Sequence, residues 1–277
     1  FIRLADHDYR AYETTPYHKG YDDNNGALRG GLEFGVPQEM VDLYFMKDGR
    51  RIVDDTNYKE YEGVPSNEYL GWSSDYTDEV VPSRTYFKSN SNQTLKQWAN
   101  REPRFYTNIT FHGSGYANAN WDAPYTGYGM RKMASKEGRS GANRHCATLL
   151  RLADMYLGYA ETLSACDQRN EAIKYVNKIR ARAGIPGYGA VGTKDDNGFA
   201  CIPYEDTRDG VDKRIHRERL VELMFEWNHF FDVGRWKVAD MAEGDDWIYP
   251  KYHRGGEGGP IHGMAFRSDA PAFFEKV

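Results

Sequence analysis

The stretch LLRLADMYLGYAETLSACDQRNEAIKYVNKIRARAG, residues 149–184, decides the fold. Leu149, Ala153, Tyr156, Ala160 and Leu163 fall at i, i+4, i+7, i+11 and i+14, which is one face of a helix. Asp-Gln-Arg-Asn (167–170) breaks that helix and offers caps for the next. Ile173, Val176 and Ile179 then share a second helical face, and Gly184 marks a C-terminal stop, because glycine enters the left-handed conformation without a Cβ penalty. Two amphipathic helices joined by so short a loop predict an antiparallel helical hairpin.

Downstream, after a Gly- and Asp-rich loop over about 185–210, the stretch LVELMFEWNHFFDVGRW (220–236) predicts a third long helix over about 211–235. Leu220, Met224, Trp227 and Phe231 recur at i, i+4, i+7 and i+11, with Val221, Leu223 and Phe230 widening the apolar face. Glu218, Glu222 and Glu226 form their own i, i+4 row, with Arg217 and Arg219 as possible partners. A zinc site on this helix would need a His pair at i, i+4, and only His229 is present. The expectation is a packing helix whose acids, Glu222, Glu226 and Asp232 among them, pair with arginines and do neither catalysis nor metal binding.

Composition bounds the function. A chain of 277 residues is long enough for one large domain or two small ones. Charged residues make up 28%, the mean hydropathy is −0.79 and the net charge is −5, a balance that speaks against nucleic-acid binding. No apolar run approaches the roughly 18 residues of a spanning helix. Cys146, Cys166 and Cys201 form no CxxC motif and imply no disulfide framework. Catalytic motifs are decoys. GYGAVG (187–192) has the dinucleotide spacing without a preceding strand or a following helix. HGSG (112–115) and GRSG (138–141) lack a nucleophile elbow. His145 and Cys146 are chain neighbours, which rarely point at each other. A glycosidase would need two flanking carboxylates, and Asp75, Asp78, Glu79 and Asp122 are candidates that read equally well as solvated loop charges.

Residues 1–145 are rich in Gly, Asn, Asp and Tyr, holding 14 of the 21 tyrosines, and read as loops with a few short strands; 146–240 reads as helical and 241–277 as a loop-rich tail. Two segments of the first part mix aromatics with short polar side chains. SNEYLGWSSDYTDE (66–79) carries Tyr69 and Trp72; GYANANWDAPYTGY (115–128) carries Tyr116, Trp121 and Tyr125. A pyranose stacks its C–H face on Trp or Tyr while its hydroxyls need Asn, Asp or Arg, so these five aromatics are the candidate glycan-binding residues. The alternative is an aromatic cluster sealing a long loop. Trp98 and Trp236 are expected to be structural.

Six segments, in order, carry a family resemblance: VPQEMVDLYFMKDGR (36–50), NREPRFYTNITFHG (100–113), TGYGMRKM (126–133), LLRLADMYLGYAETL, NEAIKYVNKIRARAG and IHRERLVELMFEWNHFFDVGRW. Together they resemble the SusD/RagB family of surface-exposed glycan-binding lipoproteins. Leu220 stands where the family usually has Arg, Glu102 where it has Asp, and Pro37 runs directly into Gln38. The resemblance implies a mainly α fold with hairpins similar to tetratricopeptide packing. It also implies binding of an oligo- or polysaccharide without turnover, no cofactor and no metal. By the same resemblance, the protein hands its glycan to a SusC-like TonB-dependent transporter at the outer membrane, held there by a lipid anchor outside this chain. Family members are roughly twice as long, so the chain is expected to be an internal piece of a longer protein. A glycoside hydrolase on an all-helical scaffold and a helical protein-interaction scaffold are the other classes.

Overall fold

The structure, a computed structural model, describes residues 35–54, 98, 100–111, 128–132, 150–226 and 228–236, together with two-residue strands that in chain order are β1 (Arg3–Leu4), β2 (Glu60–Tyr61), β3 (Val64–Pro65), β4 (Trp72–Ser73), β5 (Thr94–Leu95), β6 (Ile109–Thr110), β7 (Gly129–Met130) and β8 (Ala147–Thr148). Helices dominate, as the apolar spacing predicts. In chain order they are α1 (Gln38–Leu43), α2 (Pro103–Asn108), α3 (Leu152–Ala165), α4 (Arg169–Ala183), α5 (Arg208–Glu222) and α6 (Asn228–Trp236).

The hairpin forms where the sequence puts it. α3 buries Ala153, Leu157, Ala160 and Leu163, and α4 buries Ile173, Val176 and Ile179. Leu157 takes the central place on α3 that the spacing gave to Tyr156, which is half-buried at the edge of the face. Gly184 ends α4 at φ 76°, and the N–H of Ile185 bonds the carbonyl of Arg180, so the last turn is closed in the left-handed manner glycine allows. The loop between α3 and α4 offers no side-chain cap: Gln168 occupies the N-cap position of α4 without a side-chain bond. The real cap is at α5, where the Thr207 hydroxyl accepts from the Gly210 N–H at 3.0 Å.

The predicted third helix is two helices. α5 ends at Glu222, the chain turns through 223–226 with Phe225 at φ 66°, and α6 begins at Asn228. Lys132 explains the break. Its ammonium donates to the carbonyls of Glu222 at 2.8 Å and Met224 at 2.9 Å, and the Arg151 guanidinium adds a bond of 2.6 Å to the Glu222 carbonyl. Cations on the carbonyls at a helix C-terminus satisfy the groups that a continuing helix would have bonded. The break also resets the apolar face. Leu220, Val221, Leu223 and Met224 are buried as expected, but Phe230 and Phe231 are 79% and 69% exposed. Trp227 lies outside the described residues.

Two cores result. α3, α4 and the first half of α5 enclose one, through Leu157, Ile173, Val176, Val211 and Ile215. The second half of α5 belongs to the other, where Leu220 and Val221 meet Tyr44, Phe45, Trp98, Phe105 and Phe111. One helix thus joins the hairpin to the aromatic part of the chain. Strands β6 (Ile109–Thr110) and β7 (Gly129–Met130) pair antiparallel, Ile109 opposite Met130, and leave 112–127 between them. β4 (Trp72–Ser73) and β5 (Thr94–Leu95) pair likewise, Trp72 opposite Leu95.

Candidate functional site

Tyr69, Tyr116, Trp121 and Tyr125 lie outside the described residues, and of Trp72 the structure describes only the backbone, in β4. Both ends of 112–127 are described. Phe111 and Tyr128 are fully buried, and the Val36 N–H donates to the Tyr128 carbonyl. Next to the stem, the Arg131 N–H bonds the Asn108 carbonyl at 2.7 Å and its guanidinium the Tyr106 carbonyl at 2.8 Å. The segment with three of the five candidate aromatics is therefore carried on a clamped stem.

Trp98 sits under that stem. Its ring lies 4.6 Å from Phe111, and its Nε1 donates to the Tyr128 hydroxyl at 3.1 Å. Phe111 stacks on Phe105 at 5.4 Å, and the Arg101 guanidinium lies over the Phe105 ring, 4.9 Å from its centroid. Trp98 is structural, as its sequence context predicts. So is Trp236, which stacks on His216 at 3.9 Å and donates to Glu161.

The acid row that begins on α5 faces cations from α2 and α4, from Arg151 just before α3 and from Lys132 just after β7. Glu218 is fully buried, bonded to Arg104 at 2.7 Å and Arg180 at 3.1 Å. Glu222, 4% exposed, takes Arg104 at 3.1 Å and Arg151 at 2.5 Å, and Arg182 closes on the same carboxylate. Glu226 pairs with Arg151 at 2.7 Å and with Lys132. Asp232 binds Arg219 at 2.6 Å and Arg235 at 2.8 Å. Arg219, expected as a partner of the glutamate row, pairs instead with Asp232 and Asp154. Arg217 instead turns its Nε and Nη2 to the carbonyls of Leu43 and Asp42. The partners that spacing could not reveal, Arg104, Lys132, Arg151, Arg180 and Arg182, are separated from the row by 38 to 118 residues.

The electrostatics fit an ion-paired support. Burial pushes the Glu222 carboxyl up, and Arg104, Arg182 and Arg151 more than offset it, holding it down at about 2. Burial lowers Lys132 despite Glu226 beside it. Burial raises the Glu102 carboxyl, against the pull of Arg104. A raised acid often marks catalysis, but Glu102 has no access to solvent: it accepts from the Phe45 N–H at 2.9 Å and from Arg104 at 2.6 Å. Among the described residues no three His, Cys, Asp or Glu side chains are grouped to hold a metal. The GYGAVG stretch follows α4 as a turn, with Tyr188 bridged to Ile202 and bonded to Asn177, and no helix opens from it. No helix among the described residues is long and apolar enough to cross a membrane.

The comparisons with known proteins agree with this architecture. The model of the SusD family matches residues 1–277. No curated protein matches the chain. Among solved structures, BT4246 is 21% identical with a TM-score of 0.60, over 85% of this chain and 39% of its own. A SusD-like protein from Bacteroides fragilis NCTC 9343, BF3747, is 22% identical with a TM-score of 0.57, over 86% of this chain and 42% of its own. At such identities the likeness is one of fold, and the chain spans about two fifths of these relatives' length. SusD-family proteins bind carbohydrate and carry out no catalysis. On the match over its whole length, this chain belongs to the SusD family.

Proposed function

We propose that the protein binds an oligo- or polysaccharide at the cell surface and passes it, unaltered, to a TonB-dependent transporter of the outer membrane. Family membership carries the proposal: the family partners generally with SusC-like transporters and glycans. Trp121, Tyr116 and Tyr125 form the stacking surface, completed by Trp72 and Tyr69. The clamped stem supports this assignment by fixing the two chain ends, at Phe111 and Tyr128, from which the segment with Tyr116, Trp121 and Tyr125 departs. The ion-paired acids Glu218, Glu222, Glu226 and Asp232 brace the helical part of the fold. A lipid anchor outside these 277 residues holds the protein at the membrane surface.

Affinity electrophoresis of the chain through gels containing starch, xylan, mannan, pectin or laminarin tests the proposal. Retardation by at least one polysaccharide, with no shortening of that polysaccharide on long incubation, is the expected result. Free migration through every gel counts against glycan binding, and progressive shortening identifies a hydrolase.

A further inference from the structure

Asn197 sits in the turn that closes the 193–201 hairpin. Lys194 and Ala200 are bridged antiparallel there, and the Gly198 N–H bonds the Asp195 carbonyl at 2.9 Å. Gly198 takes φ 83°, a left-handed conformation that suits glycine. Both Asn197 and Gly198 are exposed, yet the Asn197 side chain is engaged. Its Nδ2 donates to the Ala181 carbonyl at 2.9 Å. That carbonyl lies in the last turn of α4, where a helix runs out of intrahelical donors. Asp195 ties the same hairpin down, its carboxylate accepting from the N–H groups of Gly187 at 2.8 Å and of Asn197 and Phe199 at 2.9 Å.

We infer that Asn197 is a site of spontaneous covalent modification, and that its product uncaps α4 and loosens the 187–202 loop. Among the described residues it is the one asparagine followed by glycine. With no Cβ on Gly198, the backbone nitrogen has a clear approach to the neighbouring side chain. In the step, the Gly198 nitrogen attacks Asn197 Cγ and gives up its proton. The Cγ–Nδ2 bond breaks, and ammonia leaves with that proton into solvent. Water then opens the cyclic imide, at Cγ to give aspartate or at the main-chain carbonyl to give isoaspartate. The turn bond from Gly198 to Asp195 must open first, and exposed loop bonds open at low free energy. The product has lost the Nδ2 donor. A carboxylate takes its place against the Ala181 carbonyl, at the negative end of the α4 dipole and beside Asp195 and Asp196 in the chain, where negative charge is disfavoured. Isoaspartate also adds a methylene to the main chain, which displaces the turn. The inference is independent of the glycan-binding proposal.

Mass spectrometry of the whole chain, aged in mildly alkaline buffer and then cleaved to peptides, is the first measurement. The peptide holding Asn197 should gain one mass unit ahead of those holding Asn100, Asn108, Asn170 or Asn177, with isoaspartate among its products. Asn197→Gln, one methylene longer and so unable to close the five-membered imide, should show no gain there. No gain at 197 in the folded chain, over the time in which the urea-unfolded chain converts, overturns the site. The second measurement is hydrogen exchange on Asn197→Asp, which is the aspartate product made directly. Exchange at 184–187 and 195–201 should run about two- to tenfold faster than in the wild type, the worth of one net hydrogen bond. Wild-type exchange in both stretches overturns the uncapping.

Discussion

Replacing Glu222 by Gln removes one negative charge from a buried place where Arg104, Arg151 and Arg182 converge. The size of the effect follows from the carboxyl's acidity. It ionises at about 2 in the folded protein against 4.5 for the ordinary group. Those roughly 2.5 pH units, at about 1.36 kcal/mol each, correspond to about 3 kcal/mol. Because the folded value is depressed, the contribution is complete above pH 4.5 and is lost as the pH falls through 2. Glu222→Gln should therefore be less stable than the wild type by about 3 kcal/mol at pH 7, a fall in Tm of roughly 6–12 °C. The gap should narrow steadily below pH 4.5 as the wild type acquires its own neutral Glu222. Glu102 works in the opposite sense: burial makes it a weaker acid in the folded protein, which favours the folded state at low pH, and that contribution fades as pH rises through the folded value. Being present in both proteins, it largely cancels in the difference. Urea titrations of the two proteins from pH 7 to pH 2 measure the gap directly. Equal stability at pH 7, or a gap that stays constant down to pH 2, refutes the account of the charge cluster.

Lys132→Met removes two bonds to the carbonyls that end α5 and the pair with Glu226; stability should fall by about 2–3 kcal/mol, and hydrogen exchange at 222–226 should rise most. Gly184→Ala puts a Cβ on a residue at φ 76° and should cost about 1–2 kcal/mol in denaturant titration, although the methyl would meet only Pro103 Cγ, at an ordinary contact distance of 3.9 Å. Phe230→Ser on the exposed face of α6 should change stability by less than about 0.5 kcal/mol, whereas Leu220→Ala in the core should cost about 2–5 kcal/mol. A large loss from Phe230→Ser would mean that the 211–235 stretch buries the single face its spacing predicts.

The helical hairpin was legible because its determinants are local. Ile173, Val176, Ile179 and Gly184 each act within a turn or two of chain, and each takes the place its spacing assigns. The pairing of Glu222, Glu226 and Asp232 was legible in kind, since acids on an amphipathic helix rich in nearby arginine need counter-charges when buried. The break after Glu222 was not legible. Apolar residues continue at helical spacing straight across it, and what stops the helix is Lys132, about 90 residues away in sequence. For the same reason Phe230 and Phe231 looked like core residues. The stem at either end of 112–127 depends on Trp98 meeting Phe111 and Tyr128, contacts that no periodicity encodes. The candidate aromatics follow from residue chemistry and loop composition, which encode a type of surface and no geometry.

Calorimetric titration of the best-retained glycan into the wild type, Trp121→Ala and Trp72→Ala tests the central claim most directly. Loss of an aromatic anchor costs on the order of 2 kcal/mol, or roughly thirtyfold in affinity. Trp121→Ala should bind about thirtyfold more weakly with its Tm nearly unchanged, and the glycan should be recovered at its original length. Wild-type affinity in both variants would contradict the assignment of the binding surface to these two segments.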